Sequence, residues 1–480
     1  MTPLRKRRAL AALQALTCLV MAACGGGGGS SGTEAPLATA PAASTPTPAA
    51  PAASVPVTPS PPAPAPAPAP APVPSPPVAG LSPACSTFYG SSFALVSSRT
   101  AAAPAALAKP AKGVAVTDPA FKTCLVRTTD HAADGTAGFA RNDYSRRQAF
   151  NADSTRQVVA AEDGFWHLYD ANTHQRLGVL PGLAGDAEPH WHPTNPNLLY
   201  RLPMQGIGMT LHELNVATNT TRVVGDFGAR LKARWPTSAA AWTRSEGSPS
   251  KDGRYWCFLA AAAGGASLGV FTWDRDTDTI TGTRDLGSEQ PDHVGMSPSG
   301  SHCVVSSDGP MGVTAFTRDF GSSRQLQKNS NHSDIALDAV GDDAYVAVDY
   351  GTNGGDVFMV NLRTGVRTVL FPTYVSGSTT ALHVSGKAFD RPGWVVVSTY
   401  AESGTLAWLH GKVMAVQLKA DPVVYTLAHH RASRESYWTS PVASVNRDFT
   451  RVVFNSNWGV KSETDVDAYV VEIPSGALKP

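Results

Sequence analysis

The sequence of 480 residues has almost no excess of either charge, few cysteines and no long apolar segment. Its 39 Lys and Arg residues nearly balance 38 Asp and Glu residues, so the net charge is +1. This balance offers no electrostatic argument for nucleic-acid binding. The longest apolar run, ALAALQALTCLVMAA, has 15 residues, which is too short for a transmembrane helix. Helical periodicity is weak throughout, which argues against an α-helical core.

The apolar run nevertheless has the features of an export signal. Four basic residues at 5–8 precede it, and it ends in VMAAC, which resembles the lipobox of bacterial lipoproteins. The resemblance implies that residues 1–23 are a signal peptide and that Cys24 is lipidated. Gly25 after this cysteine favours, by the same resemblance, anchoring in the outer membrane, on either its periplasmic or its surface side. Loss of residues 1–23, with four basic and no acidic residues, changes the net charge from +1 to −3.

Residues 24–83 have little capacity to fold. They begin with Gly and Ser and continue as a Pro/Ala repeat, a composition that forms flexible and then extended chain. We predict a disordered linker that holds a folded domain away from the membrane. Residues 84–116 are predicted to be an irregular lead-in, and residues 117–480 are long enough to form a large core.

Only six cysteines are present, and two of them, Cys18 and Cys24, belong to the signal and the lipidation site. An oxidising cell envelope would permit a bridge between Cys85 and Cys124, but the sequence leaves the pairing of the remaining four open. The four are Cys85, Cys124, Cys257 and Cys303.

A nine-residue pattern recurs seven times, each time as a tight polar turn followed by a β-prone run. Its spacing of 41 to 58 residues suits the four-stranded blades of a propeller. The windows are NADSTRQVV (151–159), HPTNPNLLY (192–200), SKDGRYWCF (250–258), SPSGSHCVV (297–305), DAVGDDAYV (338–346), FDRPGWVVV (389–397) and VNRDFTRVV (445–453).

A strand–turn–strand pattern follows each window, but the seventh ends with the chain before its closing strand. The spare β-run FKTCLVRTTD (121–130) can supply that strand, which would leave no open sheet edge. We therefore predict an all-β fold, a monomeric seven-bladed propeller closed by an N-terminal strand.

The residues ahead of each turn are expected to line the central channel. Side chains alternate along a strand, so positions six, four and two before each window share one face. Charged and imidazole groups are frequent there, and charges in a confined site must pair, bind an ion or meet a ligand. The candidate ligand-binding residues are Arg147, Glu188, Glu246 and Asp334.

Three histidines of this face, His293, His332 and His383, come from consecutive blades. With nearby carboxylates they would suit a divalent ion such as Mn²⁺ or Zn²⁺, and His190 is a fourth candidate ligand. A single histidine near a turn is, by contrast, usually a structural hydrogen-bonding group. Tyr437 precedes the last turn and could stack on a sugar, act as an acid or simply pack.

The turns SPSG and NRDFTRVVF resemble those of TolB-like propellers. The stretches PDHVGMSPSG, EPHWHPTNPNLLYR and NHSDIALDAVG are similar to those of oligogalacturonate-lyase-type propellers, over about residues 117–478. That family implies a histidine-bound divalent metal that holds a uronate carboxylate, followed by proton abstraction and β-elimination. His293 and His332 would be its first ligand candidates, and Arg147 or Arg244 could bind the carboxylate.

Three functions remain open from the sequence. The first is a lipid-anchored envelope protein whose channel binds a carbohydrate. The second is a metal-dependent lyase acting on acidic oligosaccharides, in which Arg147, Arg244 and Tyr437 are the catalytic candidates. The third is a TolB-like scaffold that docks a protein on the propeller face and uses no metal.

Overall fold

The structure is a computed structural model that describes residues 80–479. The signal peptide, Cys24 and the linker up to residue 79 lie outside the described residues. Within residues 80–479 the chain forms almost only strands, with short helices at α1 (His131–Asp134), α2 (Gly228–Arg234) and two 3₁₀ segments, Met204–Gly206 and Tyr437–Thr439. None of these helices is long and apolar enough to cross a membrane.

The first six strands belong to one large sheet that also receives strands from the end of the chain. They are β1 (Ala115–Thr117), β2 (Cys124–Arg127), β3 (Phe139–Arg141), β4 (Arg156–Ala161), β5 (Phe165–Asp170) and β6 (Arg176–Ala184).

Five four-stranded antiparallel sheets follow in chain order. The first contains β7 (Glu188–Trp191), β8 (Leu198–Leu202), β9 (Thr210–Asn215) and β10 (Thr220–Asp226). The second contains β11 (Ser238–Trp242), β12 (Tyr255–Ala262), β13 (Ser267–Asp274) and β14 (Thr279–Asp285). The third contains β15 (His293–Met296), β16 (His302–Ser306), β17 (Val313–Thr317) and β18 (Ser323–Gln327).

The fourth contains β19 (Ser333–Leu337), β20 (Asp343–Asp349), β21 (Asp356–Asn361) and β22 (Arg367–Pro372). The fifth contains β23 (Ser378–Ser385), β24 (Trp394–Gly404), β25 (Lys412–Gln417) and β26 (Val424–His429). The last strands, β27 (Ser444–Val445), β28 (Arg451–Ser456) and β29 (Val466–Glu472), return to the large sheet.

The predicted turns and the closing strand are confirmed. Each of the seven windows forms a turn that leads into a strand, namely β4, β8, β12, β16, β20, β24 and β28. Strand β2 pairs antiparallel with β29, so the N-terminal run 121–130 does supply the missing strand. A short parallel pairing also joins β29 to β3. The first and last blades thus share one nine-stranded sheet, and the count of seven blades stays a prediction.

The apolar core lies between consecutive sheets. One cluster joins Val346 and Val348 of β20 to Val395 and Val397 of β24, and another joins Trp256 to residues of the sheet before it. These strands are apolar on both faces because each sheet is covered on both sides by its neighbours. His293 of β15, Asp334 of β19 and Lys387 after β23 line one common cavity.

Two disulfides lie within the described residues. Cys85 pairs with Cys124, which ties the lead-in to the closing strand, and Cys257 pairs with Cys303. The second bridge links β12 to β16, the second strands of two neighbouring sheets. These pairings settle for residues 80–479 the connectivity that the sequence left open.

Candidate functional site

Two of the predicted histidines meet beside the first strands of two consecutive sheets. His332 precedes β19 and His383 lies in β23, and their ring centroids are 4.3 Å apart. The Nε2 atoms of both rings converge on one group, the hydroxyl of Tyr437, at 3.3 Å and 3.2 Å. His383 lies within β23, but His332 lies in the bend just before β19, so strand alternation alone does not account for its position.

Two further tyrosines complete this group. The hydroxyl of Tyr400, on β24, lies 3.1 Å from His332 Nδ1, and its ring stacks on His383 at 4.5 Å. The hydroxyl of Tyr144 lies 3.0 Å from that of Tyr437. We call these five residues, His332, His383, Tyr144, Tyr400 and Tyr437, the imidazole–phenol cluster.

The two imidazoles of the cluster and its Tyr144 phenol are uncharged at neutral pH. Burial, reinforced by the positive charge of Arg146, lowers the pKa of His332 to about 4. Burial also lowers the pKa of His383 well below its usual value, and the neighbouring His332 adds to this shift. For Tyr144, burial raises the pKa of the phenol well above its usual value. Unprotonated imidazoles and protonated phenols offer both donors and acceptors to a ligand.

A charged layer adjoins the cluster and is centred on Arg146. The guanidinium forms an ion pair with Glu246 and donates to the backbone oxygen of Ser333 at 2.5 Å. Its Nη1 lies 3.4 Å from His293 Nδ1, and its Cζ lies 5.3 Å from the centre of the Tyr144 ring. Arg146 therefore connects the cluster to the carboxylates and His293.

Of the four histidines predicted as metal ligands, His293 alone lies, within residues 80–479, in a group of side chains that could hold a metal ion. Ligand atoms of Glu246, Asp292 and His293 all lie within 4.8 Å of one another. His293 also contacts Ser306 Oγ, at 3.2 Å. Two carboxylates and one imidazole suit Mn²⁺ or Zn²⁺, so the donor set fits a divalent ion. Arg146, however, already forms an ion pair with Glu246, and its guanidinium would have to move before a metal ion could bind there.

The predicted metal ligands are thus not gathered at one point. Only His293 belongs to the donor group with Glu246 and Asp292, whereas His332 and His383 hydrogen-bond to phenols. His190 lies elsewhere, 3.7 Å from Glu188 and edge-on to the Trp256 ring at 5.2 Å.

Two predicted ligand-binding carboxylates are occupied by contacts within the protein. Asp334 forms a buried ion pair with Lys387 at 2.8 Å and accepts a hydrogen bond from the Gly386 amide at 2.7 Å. The fully buried Glu188 accepts from the Thr243 hydroxyl at 2.8 Å and from the Ser245 amide at 2.6 Å. Each side chain fastens one sheet to the next.

The predicted arginines also make internal contacts. Arg147 pairs with Asp143 at 2.9 Å and donates to the backbone oxygen of Ser245 at 2.5 Å. Arg244 donates to the backbone oxygen of Pro291. Neither reaches the imidazole–phenol cluster through a hydrogen bond, whereas Arg146 contacts the ring of Tyr144.

The sequence reasoning missed Arg146, Tyr144, Tyr400 and Asp292. Residues 144–147 form a turn, in which the Arg147 amide donates to the Tyr144 oxygen at 3.2 Å, so side-chain alternation does not apply and Arg146 faces the axis. Tyr400 comes from a second strand, and its pairing with Ala381 of β23 brings it to the site. No local sequence pattern predicts that pairing.

Comparison with known proteins identifies the fold. The solved structure of oligogalacturonate lyase from Vibrio parahaemolyticus is similar, with a TM-score of 0.54, 14% identity, and coverage of 77% of this chain and 100% of the lyase. An oligogalacturonate lyase in complex with manganese is also similar, with a TM-score of 0.53, 15% identity and the same coverage. No family model and no curated protein matches the sequence. The likeness shows a β-propeller fold.

Proposed function

We propose that the imidazole–phenol cluster binds a carbohydrate at the mouth of the propeller channel. The observation that carries this proposal is the convergence of His332 and His383 on the Tyr437 hydroxyl, next to two further phenols. A sugar presents many hydroxyls that both donate and accept, and the neutral cluster offers matching partners and aromatic faces. The charged groups around Arg146 are neutralised within the protein and contribute less.

We further propose that binding takes place outside the cytoplasm. The export-signal pattern before Cys24 and the Pro/Ala-rich segment support a lipid-tethered domain. Two disulfides within residues 80–479 are typical of an oxidising compartment. Metabolic labelling with a radioactive fatty acid, compared between the natural chain and Cys24→Ala, tests the tether; an unlabelled natural chain would contradict it.

Calorimetry with defined oligosaccharides tests carbohydrate binding. Oligogalacturonates and neutral cello-oligosaccharides of matched length are titrated into the natural protein and into His332→Ala and Tyr437→Phe. Loss of two or more hydrogen bonds to the ligand should weaken binding by about tenfold or more. His302→Ala is the control, because His302 is similarly half-buried but begins β16 at the turn end of its sheet. Absence of binding to every sugar would refute the proposal.

A metal-dependent lyase is the second candidate. It is supported by the donor set of Glu246, Asp292 and His293 and by the fold shared with the manganese-bound lyase. Bound there, a divalent ion would withdraw charge from a uronate carboxylate and acidify the adjacent C–H bond. A neutral imidazole of His332 or His383 would take that proton while the glycosidic C–O bond breaks, and Tyr437 would protonate the departing oxygen.

Two measurements test the lyase. Elemental analysis of protein dialysed against Mn²⁺ should find one ion per chain, and Glu246→Gln together with His293→Ala should abolish its retention. Ultraviolet absorbance of the unsaturated product should rise when polygalacturonate is added to the Mn²⁺-loaded protein. Failure of both measurements would exclude the lyase and leave carbohydrate binding standing.

A further inference from the structure

An exposed indole stands next to the imidazole–phenol cluster. Trp438 follows Tyr437 in the 3₁₀ segment Tyr437–Thr439 and remains 48% exposed. Tryptophan gains much from burial, so an exposed indole beside the cluster is a candidate contact for a ligand.

The backbone around Trp438 is fixed rather than loose. Ser436 caps the segment, accepting a hydrogen bond from the Trp438 amide at 3.3 Å, and Thr439 completes a capping box. The Trp438 carbonyl accepts a hydrogen bond from Arg141. The indole is therefore presented without the entropy cost that an unconstrained loop would pay on binding.

The indole is continuous with the proposed sugar site. The rings of Tyr437 and Trp438 meet edge to face, with centroids 5.5 Å apart and planes at 85°. Since the Tyr437 hydroxyl points to His332 and His383, the two consecutive side chains join the cluster to the exposed surface. A ligand longer than one ring would pass from one to the other.

A cation lies against the same indole. The guanidinium carbon of Arg141 is 5.3 Å from the centre of the Trp438 ring and 4.4 Å from that of Phe139. Its Nε is buried and has no hydrogen-bond partner within residues 80–479. Burial lowers the pKa of Arg141 to about 10, so the side chain keeps its charge at neutral pH.

We propose that Trp438 and Arg141 form a second sugar subsite that takes the next ring of an acidic oligosaccharide whose first ring lies at the imidazole–phenol cluster. The indole would stack on the apolar face of the ring, and Arg141 would attract its carboxylate. This inference rests on the proposed carbohydrate binding and adds to it a preference for acidic chains of two or more rings.

The test is the dependence of affinity on chain length, measured by calorimetry with galacturonate, digalacturonate and tetragalacturonate. Trp438→Ala should weaken binding of the two oligomers by about tenfold and leave the monomer unchanged. Trp438→Phe should recover part of the loss. Arg141→Gln should weaken the oligogalacturonates by a larger factor than neutral cello-oligosaccharides, which would lose only the support that Arg141 gives to Trp438. Phe165→Ala is the matched control, because Phe165 is 47% exposed at the start of β5.

The outcomes separate the two proposals. If the natural protein binds oligogalacturonate and Trp438→Ala binds it equally well, the subsite is refuted and the cluster stands. If Trp438→Ala weakens the monomer as much as the tetramer, Trp438 belongs to the first ring's site and the second subsite is likewise refuted. If the natural protein binds cello-oligosaccharides but no galacturonate of any length, the acidic subsite is refuted and carbohydrate binding stands; if it binds no sugar at all, both proposals fail. An unchanged unfolding temperature in each variant confirms that the fold is intact.

Discussion

Two layers at the axis of this propeller are built from different chemistry. In the imidazole–phenol cluster, neutral rings meet through hydrogen bonds of 3.0 to 3.3 Å. In the layer around Arg146, by contrast, opposite charges pair directly, as Arg146 does with Glu246 and Lys387 with Asp334. The comparison teaches that charge near a channel axis is not by itself evidence of a ligand. The charged layer holds the sheets together, whereas we propose that the neutral cluster exchanges its internal hydrogen bonds for a ligand.

Removing one partner of a buried ion pair in the charged layer should cause the largest loss of stability. Lys387→Ala leaves Asp334 buried without its cation, which should lower the free energy of unfolding by about 3–5 kcal/mol. Urea denaturation followed by tryptophan fluorescence measures this. The double variant Asp334→Asn/Lys387→Met, which removes both charges, should recover much of the loss.

An exposed ion pair supplies the control for that experiment. Arg363 pairs with Asp342 at 2.5 Å, but the Arg363 side chain is 68% exposed. Arg363→Ala should cost less than about 1 kcal/mol. Equal losses for Arg363→Ala and Lys387→Ala would contradict the structural role of the charged layer.

Loss of the disulfide in the closing sheet should lower the stability of the protein. It should leave the imidazole–phenol cluster and the charged layer unchanged. Cys85 and Cys124 enclose a loop with a sequence separation of 39 residues, so the paired Ser variants should lose about 2–4 kcal/mol of unfolding free energy. Oligosaccharide affinity of the folded variant should equal that of the natural protein. A loss of affinity without a loss of stability would place the closing sheet in the ligand site.

The neutral cluster should tolerate mutation better. Tyr437→Phe keeps the ring and removes a hydroxyl that contacts Tyr144, His332 and His383, which should cost only about 1 kcal/mol. Urea denaturation measures the stability, and the same samples give the affinity. A stability loss as large as that of Lys387→Ala would show that the cluster is a structural element like the charged layer.

The pH dependence of stability should show the smallest of these effects. The pKa of His332 is about 4 in the folded protein, against 6.5 when exposed, so below pH 6.5 the unfolded chain binds a proton that the folded chain refuses. Stability should therefore fall as the pH drops from about 6.5 to about 4. In His332→Asn, the slope of the unfolding free energy against pH should decrease by an amount that corresponds to at most one proton. An unchanged slope would mean that His332 titrates normally in the fold.

The sequence predicts the repeating frame well and the site only in part. Turn windows and the spare strand at 121–130 are local patterns, and they led to the correct closure between β2 and β29. The sequence also put His332 and His383 on one face, and the structure brings them together, although His332 lies just before β19 and only His383 lies within a strand. Side-chain alternation failed at Arg147, because residues 144–147 form a turn that places Arg146, and not Arg147, beside His293.

The rest of the site depends on contacts between strands and between sheets. Glu188 could not be recognised as structural, since its partners Thr243 and Ser245 lie more than fifty residues along the chain. Tyr400 reaches the site because the 11-residue strand β24 extends beside β23. The placement of Glu188 follows from packing between sheets and that of Tyr400 from strand pairing within one sheet, and neither is visible in the local sequence pattern.

A crystal structure of residues 80–479 soaked with tetragalacturonate would test the central claim most directly. We predict a sugar ring within hydrogen-bonding distance of the Tyr437 hydroxyl and of His332 or His383, and a second ring over the Trp438 indole. A sugar bound to another part of the propeller, with the imidazole–phenol cluster undisturbed, would contradict the account.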